Sequence, residues 1–148
     1  MSKRSENIRI VLETLKDEVK GRAAEVMKKL SADYTMTWVY GTEKKLFPQE
    51  KVNKVEHLEK VYAIKGRKYE IINIAEGKDV VMVELIESYP DPETKKVYRT
   101  PVVLVLEMKK GKIQTGRHYC DPKISYKHLT EAQVKKAFAK PKKTTVIK

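Results

Sequence analysis

The first half of the chain alternates between two kinds of hydrophobic spacing. Apolar residues at three- and four-residue intervals predict a helix over residues 5–18, and after Gly21 a second helix over residues 23–30. From Tyr34 to Tyr40 the bulky side chains occupy every second position, which indicates a strand with its bulky face buried. Pro48 is suited to the first position of a helix, so a third short helix is predicted after it.

The second half predicts a series of strands. Four are expected, at residues 69–74, 80–88, 97–108 and 111–122. Thr130 and Gln133 then form a capping box for a last helix that ends near Phe138. Helices followed by an antiparallel meander indicate an α+β fold, in which a curved antiparallel sheet wraps around the N-terminal helices. We expect one domain over residues 1–126, followed by a C-terminal helix and Lys-rich tail over residues 127–148.

Both faces of the predicted sheet are apolar. An antiparallel sheet with one face in water alternates polar and apolar residues, and these strands do not. The helices can cover one face, and a second copy of the chain can cover the other. The sequence therefore predicts a homodimer through the convex face, formed by Val81, Val83, Leu85, Val102, Leu104 and Leu106. The alternative is that the C-terminal helix covers this face.

Composition limits the choice of partners and compartment. The 148 residues have a net charge of +12, but 26 of the 32 basic residues are Lys, and Arg is the residue suited to phosphate recognition. Nucleic-acid binding is therefore not favoured, although the Lys-rich tail suits an anionic surface. The sequence has one cysteine, a polar N-terminus and no aliphatic run longer than Val102 to Leu106. It therefore predicts a cytoplasmic protein with no disulfide and no membrane span.

Glu84 is the first candidate for chemistry, because it lies within an apolar strand. A lone buried carboxylate is costly unless it is protonated, paired or hydrogen-bonded. His118, on the last strand, is the expected partner. A Glu–His pair can act as a base and its orienting group near neutral pH. The alternative is a buried polar pair with no turnover.

Other side chains are candidates for the ligand-binding wall. One set of side chains is expected to form either an aromatic lining for a flat, mostly apolar ligand or ordinary core. The set consists of Tyr34, Met36, Trp38 and Tyr40. Cys120 shares a strand face with His118 and is expected to be a small buried side chain; a nucleophile beside His118 is the alternative. Arg99 shares a face with Val103 and is placed to reach the mouth of a pocket. No spacing of His, Asp or Glu is typical of a metal site and no phosphate loop is present, so no cofactor is expected.

Three short motifs carry a family resemblance: Leu30-Ser31-Ala32-Asp33, Gly41 after the first strand, and the segment from Gly111 to Asp121. In these motifs the chain resembles the nuclear transport factor 2-like superfamily, and the resemblance covers residues 5–124. Its members include SnoaL-like polyketide cyclases, ketosteroid isomerases and limonene epoxide hydrolases. The resemblance implies a cone-shaped domain with a pocket between the sheet and the helices.

The resemblance also implies which catalytic sets are incomplete. The general base, oxyanion-stabilising acid and tyrosine of the isomerases correspond to Trp38, Val103 and Thr14. The Asp, Arg and second Asp of the epoxide hydrolases correspond to His118, Glu84 and Ile86. Neither set is intact, yet Glu84 and His118 remain where the family places its chemistry.

These observations together predict a protein that binds an apolar or aromatic small molecule. Glu84 and His118 would support cofactor-free isomerase, cyclase or hydrolase chemistry. One alternative is a non-catalytic, dimeric binding or interaction module of the same fold. Another is a protein that associates with anions or nucleic acid through its basic tail.

Overall fold

A computed structural model of the chain describes residues 5–138 and 145–148. The helices in these ranges are α1 (Glu6–Val19), α2 (Ala23–Lys29), α3 (Val55–Tyr62), α4 (Pro122–Ser125) and α5 (Glu131–Ala137). The strands are β1 (Leu30–Trp38), β2 (Gln49–Lys51), β3 (Lys68–Gly77), β4 (Val80–Pro90), β5 (Val97–Lys109), β6 (Lys112–Tyr119) and β7 (Thr145–Ile147).

The seven described strands form one mixed sheet in the order β2-β1-β6-β5-β4-β3-β7. All neighbours are antiparallel except β1 and β6, which run parallel. The α+β class and the sheet with N-terminal helices against it are therefore confirmed. The four strands β3 to β6 are antiparallel, as expected, and β1 joins them by running parallel to β6.

Local sequence signals account for most of the element boundaries. The Ser5 hydroxyl accepts a hydrogen bond from the Ile8 amide and caps α1. Gly21 follows α1 with φ +70°, a conformation that favours glycine, and so allows the sharp turn into α2. The capping box at Thr130 is present, as predicted. Pro48 does not begin a helix: its carbonyl accepts from the Trp38 amide next to β2, and α3 starts at Val55.

The prediction for the convex face is wrong in its assignment of faces. Val81 and Val83 are fully buried on the concave face, toward the helices. Their register partners on β5 are Leu106 and Leu104, and Leu85 pairs with Val102. The whole predicted set thus faces the helices: Val81, Val83, Leu85, Val102 and Leu106 lie in the core, and Leu104 packs against it.

The alternate residues of the same strands form the true convex face, and a C-terminal helix covers part of it. On α5, Val134 is buried and lines a small cleft with Ile86 of β4. Met82 and Val103 stay 45% and 36% exposed. The alternative in which the C-terminal helix covers the convex face therefore holds for one part of that face.

The C-terminal segment divides into two described parts. After α5, residues 139–144, which include much of the predicted Lys-rich tail, lie outside the described residues. Strand β7 then pairs with β3, and Ile147 is buried opposite Tyr69. None of the helices in the described ranges has the length and apolar character needed to cross a bilayer.

Candidate functional site

A cavity of about 230 Å³ lies between the concave face of the sheet, α1 and α3. We call it the inner chamber. Its wall is mostly apolar, with side chains such as Leu15, Leu85 and Leu104. The polar and ionisable side chains that line it are Thr14, Glu18, Tyr34, Tyr62, Arg67, Tyr69, Glu87, Tyr89 and His118. Charged groups in an apolar cavity are typical of functional sites.

Glu18 lies in the last turn of α1 and points into this chamber. The Tyr69 hydroxyl donates to Glu18 Oε2 at 2.7 Å, and Tyr62 lines the same chamber. Burial raises the pKa of Glu18 to about 7, and the neighbouring hydroxyls of Tyr69 and Tyr62 oppose this rise. The carboxyl can therefore both release and accept a proton near neutral pH.

Arg67 forms the second charged centre, just before β3. Its Nη1 donates to Glu87 Oε2 at 2.7 Å and its Nη2 donates to the Val61 carbonyl at 3.1 Å. The guanidinium lies over the rings of Tyr62 and Tyr89, at 5.4 and 4.8 Å from their centroids. Its buried Nε has no hydrogen-bond partner among the described residues. The Arg67 guanidinium is therefore a cation in a fixed position, and its Nε–H donates to no described group.

His118 lies on β6, across the parallel pairing from Trp38. The two rings stack with their centroids 6.4 Å apart and their planes 30° apart. Burial lowers the pKa of His118, and the negative charge of Glu87 opposes this effect. The imidazole is therefore neutral at pH 7, when it can both donate and accept hydrogen bonds.

The expected pair of Glu84 and His118 does not form. Glu84 points to the convex side, where the Asn73 amide donates to its Oε1 at 2.8 Å. Strand periodicity places Glu84 on the same face as Met82, and the sequence interpretation had assigned that face to the pocket. The carboxylate that shares the cavity with His118 is Glu87, three residues later on the opposite face.

The other predicted site residues divide between the two faces. Tyr34, Met36 and Trp38 line the inner chamber, and their role with a ligand stays a prediction. Arg99 does not line the inner chamber: it lies at the small cleft on the convex side, where its Nη1 donates to the Leu129 carbonyl at 2.6 Å. Val103 is also on that side, as the register partner of Glu84.

Sequence reasoning missed Glu18, Arg67, Tyr69 and Glu87. Two of them had a signal in the pattern. Glu18 is placed three residues after Leu15, on the apolar stripe of α1, and Glu87 continues the inward alternation of Val83 and Leu85. Arg67 follows a turn, where no periodicity applies.

A second cavity, of about 310 Å³, adjoins the first, and we call it the outer chamber. The two chambers share Trp38, Glu87, Tyr89 and His118 as wall residues. The remaining wall of the outer chamber consists of Tyr40, Tyr98, Thr100, Cys120, Pro122, Ser125 and Tyr126. The predicted residues Tyr40 and Cys120 therefore lie here. Burial raises the pKa of the Cys120 thiol, which keeps it protonated at neutral pH.

The described residues contain no group of three or more His, Cys, Asp or Glu side chains arranged to hold a metal ion. The ionisable groups of the inner chamber instead form two separate contacts, Glu18 with Tyr69 and Glu87 with Arg67. This arrangement can transfer protons and can stabilise a negatively charged oxygen.

Comparison by sequence finds no relative: no protein-family model matches the chain, and no curated protein matches it. Solved structures do match. A protein from Shewanella putrefaciens CN-32 described as a SnoaL-like polyketide cyclase has a TM-score of 0.70 at 8% identity, over 85% of this chain and 86% of that chain.

Two further structures match at similar levels. An epoxide hydrolase from M. tuberculosis, of the LEH-like type, has a TM-score of 0.65 at 20% identity, over 89% of this chain and 95% of that one. A nuclear transport factor 2-like protein of unknown function from Cytophaga hutchinsonii has a TM-score of 0.62 at 17% identity, over 83% and 96%. At these identities the likeness shows the fold. The chain has the nuclear transport factor 2-like fold, as the resemblance implied.

Proposed function

We propose that the chain binds a mostly apolar small molecule in the inner chamber and catalyses a proton transfer on it without a cofactor. One observation carries this proposal: the Glu18 carboxyl is held by the Tyr69 hydroxyl on the wall of an apolar cavity. A carboxyl in such a place has a pKa near the working pH, which suits a general acid–base catalyst.

The reaction class that fits these groups is a proton shift next to a carbonyl. The Glu18 carboxylate takes a proton from the carbon beside the carbonyl, and the electron pair of that C–H bond moves toward the carbonyl oxygen. The Arg67 guanidinium lines the same chamber and would stabilise the enolate oxygen that forms. In a β,γ-unsaturated ketone, Glu18 then returns the proton to the γ carbon of the dienolate, and the double bond shifts into conjugation with the re-formed carbonyl, which completes an isomerisation.

Two structural neighbours support a small-molecule ligand, since they are described as a polyketide cyclase and an epoxide hydrolase. Their catalytic residues are not transferred to this chain. The catalytic pair first expected, Glu84 with His118, is replaced in this proposal by Glu18, with His118 as a neutral hydrogen-bonding group on the opposite wall.

Exchange of carbon-bound protons for deuterium tests the proposal. The purified chain is incubated in D₂O with a panel of enolisable aryl ketones, and deuterium incorporation is followed by NMR. We expect exchange to increase as the pH rises through about 7, where Glu18 loses its proton. The substitution Glu18→Gln should lower the exchange rate by about 100-fold or more.

Glu107→Gln on the convex face is the matched control and should leave the exchange rate unchanged. Equal exchange by wild type and Glu18→Gln would contradict the proposed role of Glu18. Saturable ketone binding with no exchange above the solvent rate would favour the non-catalytic binding module instead.

We also propose that the chain forms a homodimer through the uncovered part of the convex face. Met82, Val103 and Tyr119 are large apolar or aromatic side chains that remain exposed there. Light scattering after size exclusion should give twice the chain mass for wild type and the single chain mass for Val103→Lys. A monomeric wild type would exclude the dimer.

A further inference from the structure

The outer chamber has an unusual wall for a strongly basic chain. Five aromatic rings line it together with one carboxylate: Trp38, Tyr40, Tyr89, Tyr98, Tyr126 and Glu87. The whole sequence contains 32 Lys and Arg against 20 Asp and Glu. Yet no lysine or arginine is present among the described residues that line this chamber.

The ion pair between the chambers has a fixed orientation. Glu87 lines both chambers, whereas its partner Arg67 lines only the inner one. The negative end of the pair therefore faces the outer chamber. His118 and Cys120 on this wall are neutral at pH 7, because burial lowers the pKa of His118 and raises the pKa of the Cys120 thiol.

Three of the five rings, those of Tyr89, Tyr98 and Tyr126, form a contiguous cluster with Tyr98 at its centre. The ring centroid of Tyr98 lies 5.3 Å from that of Tyr89 and 6.5 Å from that of Tyr126. The Tyr98 hydroxyl donates to Asp91 Oδ2 at 2.7 Å, which draws negative charge toward the phenol. The faces of aromatic rings attract cations, and Tyr89 already has the Arg67 guanidinium 4.8 Å from its centroid.

We propose that the outer chamber binds an alkylammonium group, in particular a quaternary ammonium that has no N–H to donate. Such a cation is stabilised by ring faces and by a nearby carboxylate rather than by direct hydrogen bonds. This inference adds to the proposed function by naming a cationic group on the ligand, which the outer chamber would hold. Binding of the cation itself requires no turnover in the inner chamber.

A comparison of two probes of equal shape tests the charge requirement. Choline and its neutral carbon analogue 3,3-dimethyl-1-butanol are titrated separately into the purified full chain. The single tryptophan of the sequence, Trp38, lines the chamber, so its fluorescence reports binding. We expect choline to bind about ten-fold more tightly than the neutral alcohol. Equal affinities, or no saturable response to choline, would overturn the proposal.

Variants at Tyr126 separate the ring from the rest of the side chain. Tyr126 is 75% exposed, so its replacement leaves the core intact. Tyr126→Leu should weaken choline binding several-fold, and Tyr126→Phe, which keeps the ring, should preserve it. Tyr119→Leu, an exposed aromatic replacement on the convex face, should have no effect. Equal losses in Tyr126→Leu and Tyr119→Leu would contradict the cation site.

Glu18→Gln distinguishes this inference from the proposed function. Glu18 lines the inner chamber and not the outer one, so choline affinity should be unchanged in this variant while ketone exchange is lost. Choline binding without any ketone exchange in wild type would leave the cation site standing and the catalytic proposal refuted.

Discussion

Two arginine–glutamate pairs lie on opposite sides of the same sheet and differ mainly in their exposure to water. In the inner chamber, Arg67 and Glu87 are 2.7 Å apart with side chains 5% and 19% exposed. On the convex face, Arg117 and Glu107 are 3.1 Å apart with side chains 34% and 46% exposed. Water can replace a lost partner at the second pair but not at the first, so the same residue types carry different energetic consequences.

Two glutamates show the same contrast. Glu107 accepts hydrogen bonds from Thr115 and Arg117, which lower its pKa. Glu18 also accepts a hydrogen bond, from Tyr69, yet burial raises its pKa to about 7. Desolvation is the larger effect inside the chamber, and hydrogen bonding is the larger effect at the surface. The chemistry of a carboxyl in this protein therefore depends on the face it occupies.

Removal of one arginine from each pair gives the largest expected difference between the faces. Arg67→Met leaves Glu87 buried without its counter-charge and should lower the free energy of unfolding by about 3–5 kcal/mol. Arg117→Met should lower it by about 1 kcal/mol or less. Urea unfolding followed by circular dichroism measures both. Equal losses would mean that the two pairs do not differ in solvation.

The pH dependence of stability tests the burial of Glu18. Its pKa of about 7 in the folded state lies above the ordinary 4.5, so the folded chain keeps this proton after the unfolded chain has lost it. The stabilisation is complete below pH 4.5 and is lost as the pH rises toward about 7, by on the order of 3 kcal/mol.

Unfolding measured between pH 4.5 and 8 should show this decrease in wild type. Glu18→Gln should remove most of it, because the amide does not titrate. Glu84→Gln, on the convex side, should leave the decrease as it is in wild type. A wild-type slope retained in Glu18→Gln would show that another group is responsible.

A pair of valine truncations compares the faces without charge. Val83 is fully buried, and Val83→Ala should cost about 2 kcal/mol from lost transfer free energy and the cavity left behind. Val103 is 36% exposed on the other face, and Val103→Ala should change stability by about 0.5 kcal/mol or less. Thermal unfolding of the two variants gives the comparison, and a larger loss at Val103 would reverse the assignment of faces.

The smallest expected effect comes from a single hydroxyl. Tyr69→Phe removes the hydrogen bond to Glu18 and should cost about 1 kcal/mol. Because that hydrogen bond lowers the pKa of Glu18, the pKa should increase further in the variant. A ¹³C NMR titration of the labelled carboxyl measures the change. Tyr119→Phe serves as the control, and a decrease of the Glu18 pKa in Tyr69→Phe would contradict the assigned contact.

Much of the fold follows from local spacing in the sequence. The first helix was predicted at residues 5–18 and runs over Glu6–Val19, and the strand pattern of Val80 to Ser88 matches β4. These elements were predictable because side-chain direction repeats every 3.6 residues in a helix and every 2 in a strand, whatever the rest of the chain does. The capping box at Thr130 is equally local.

The candidate site was less predictable. Both faces of β4 and β5 are apolar, so periodicity defines two sets of residues without saying which set faces the helices. That choice decided whether Glu84 or Glu87 shares a cavity with His118. The inward signal of Glu87 was present in the pattern, but it could be interpreted only after the inward face was known.

The sequence by itself determined the longer helices and strands, their order and the α+β class, because each depends on neighbours a few residues away; the short elements β2, α4 and β7 were not predicted. Tertiary structure alone decided which face is concave and that β1 pairs in parallel with β6. It also brought together Glu18, Arg67, Tyr69 and Glu87, which come from α1, a turn, β3 and β4. Their contacts depend on the packing of distant segments, and the pKa of Glu18 depends on the burial that this packing produces.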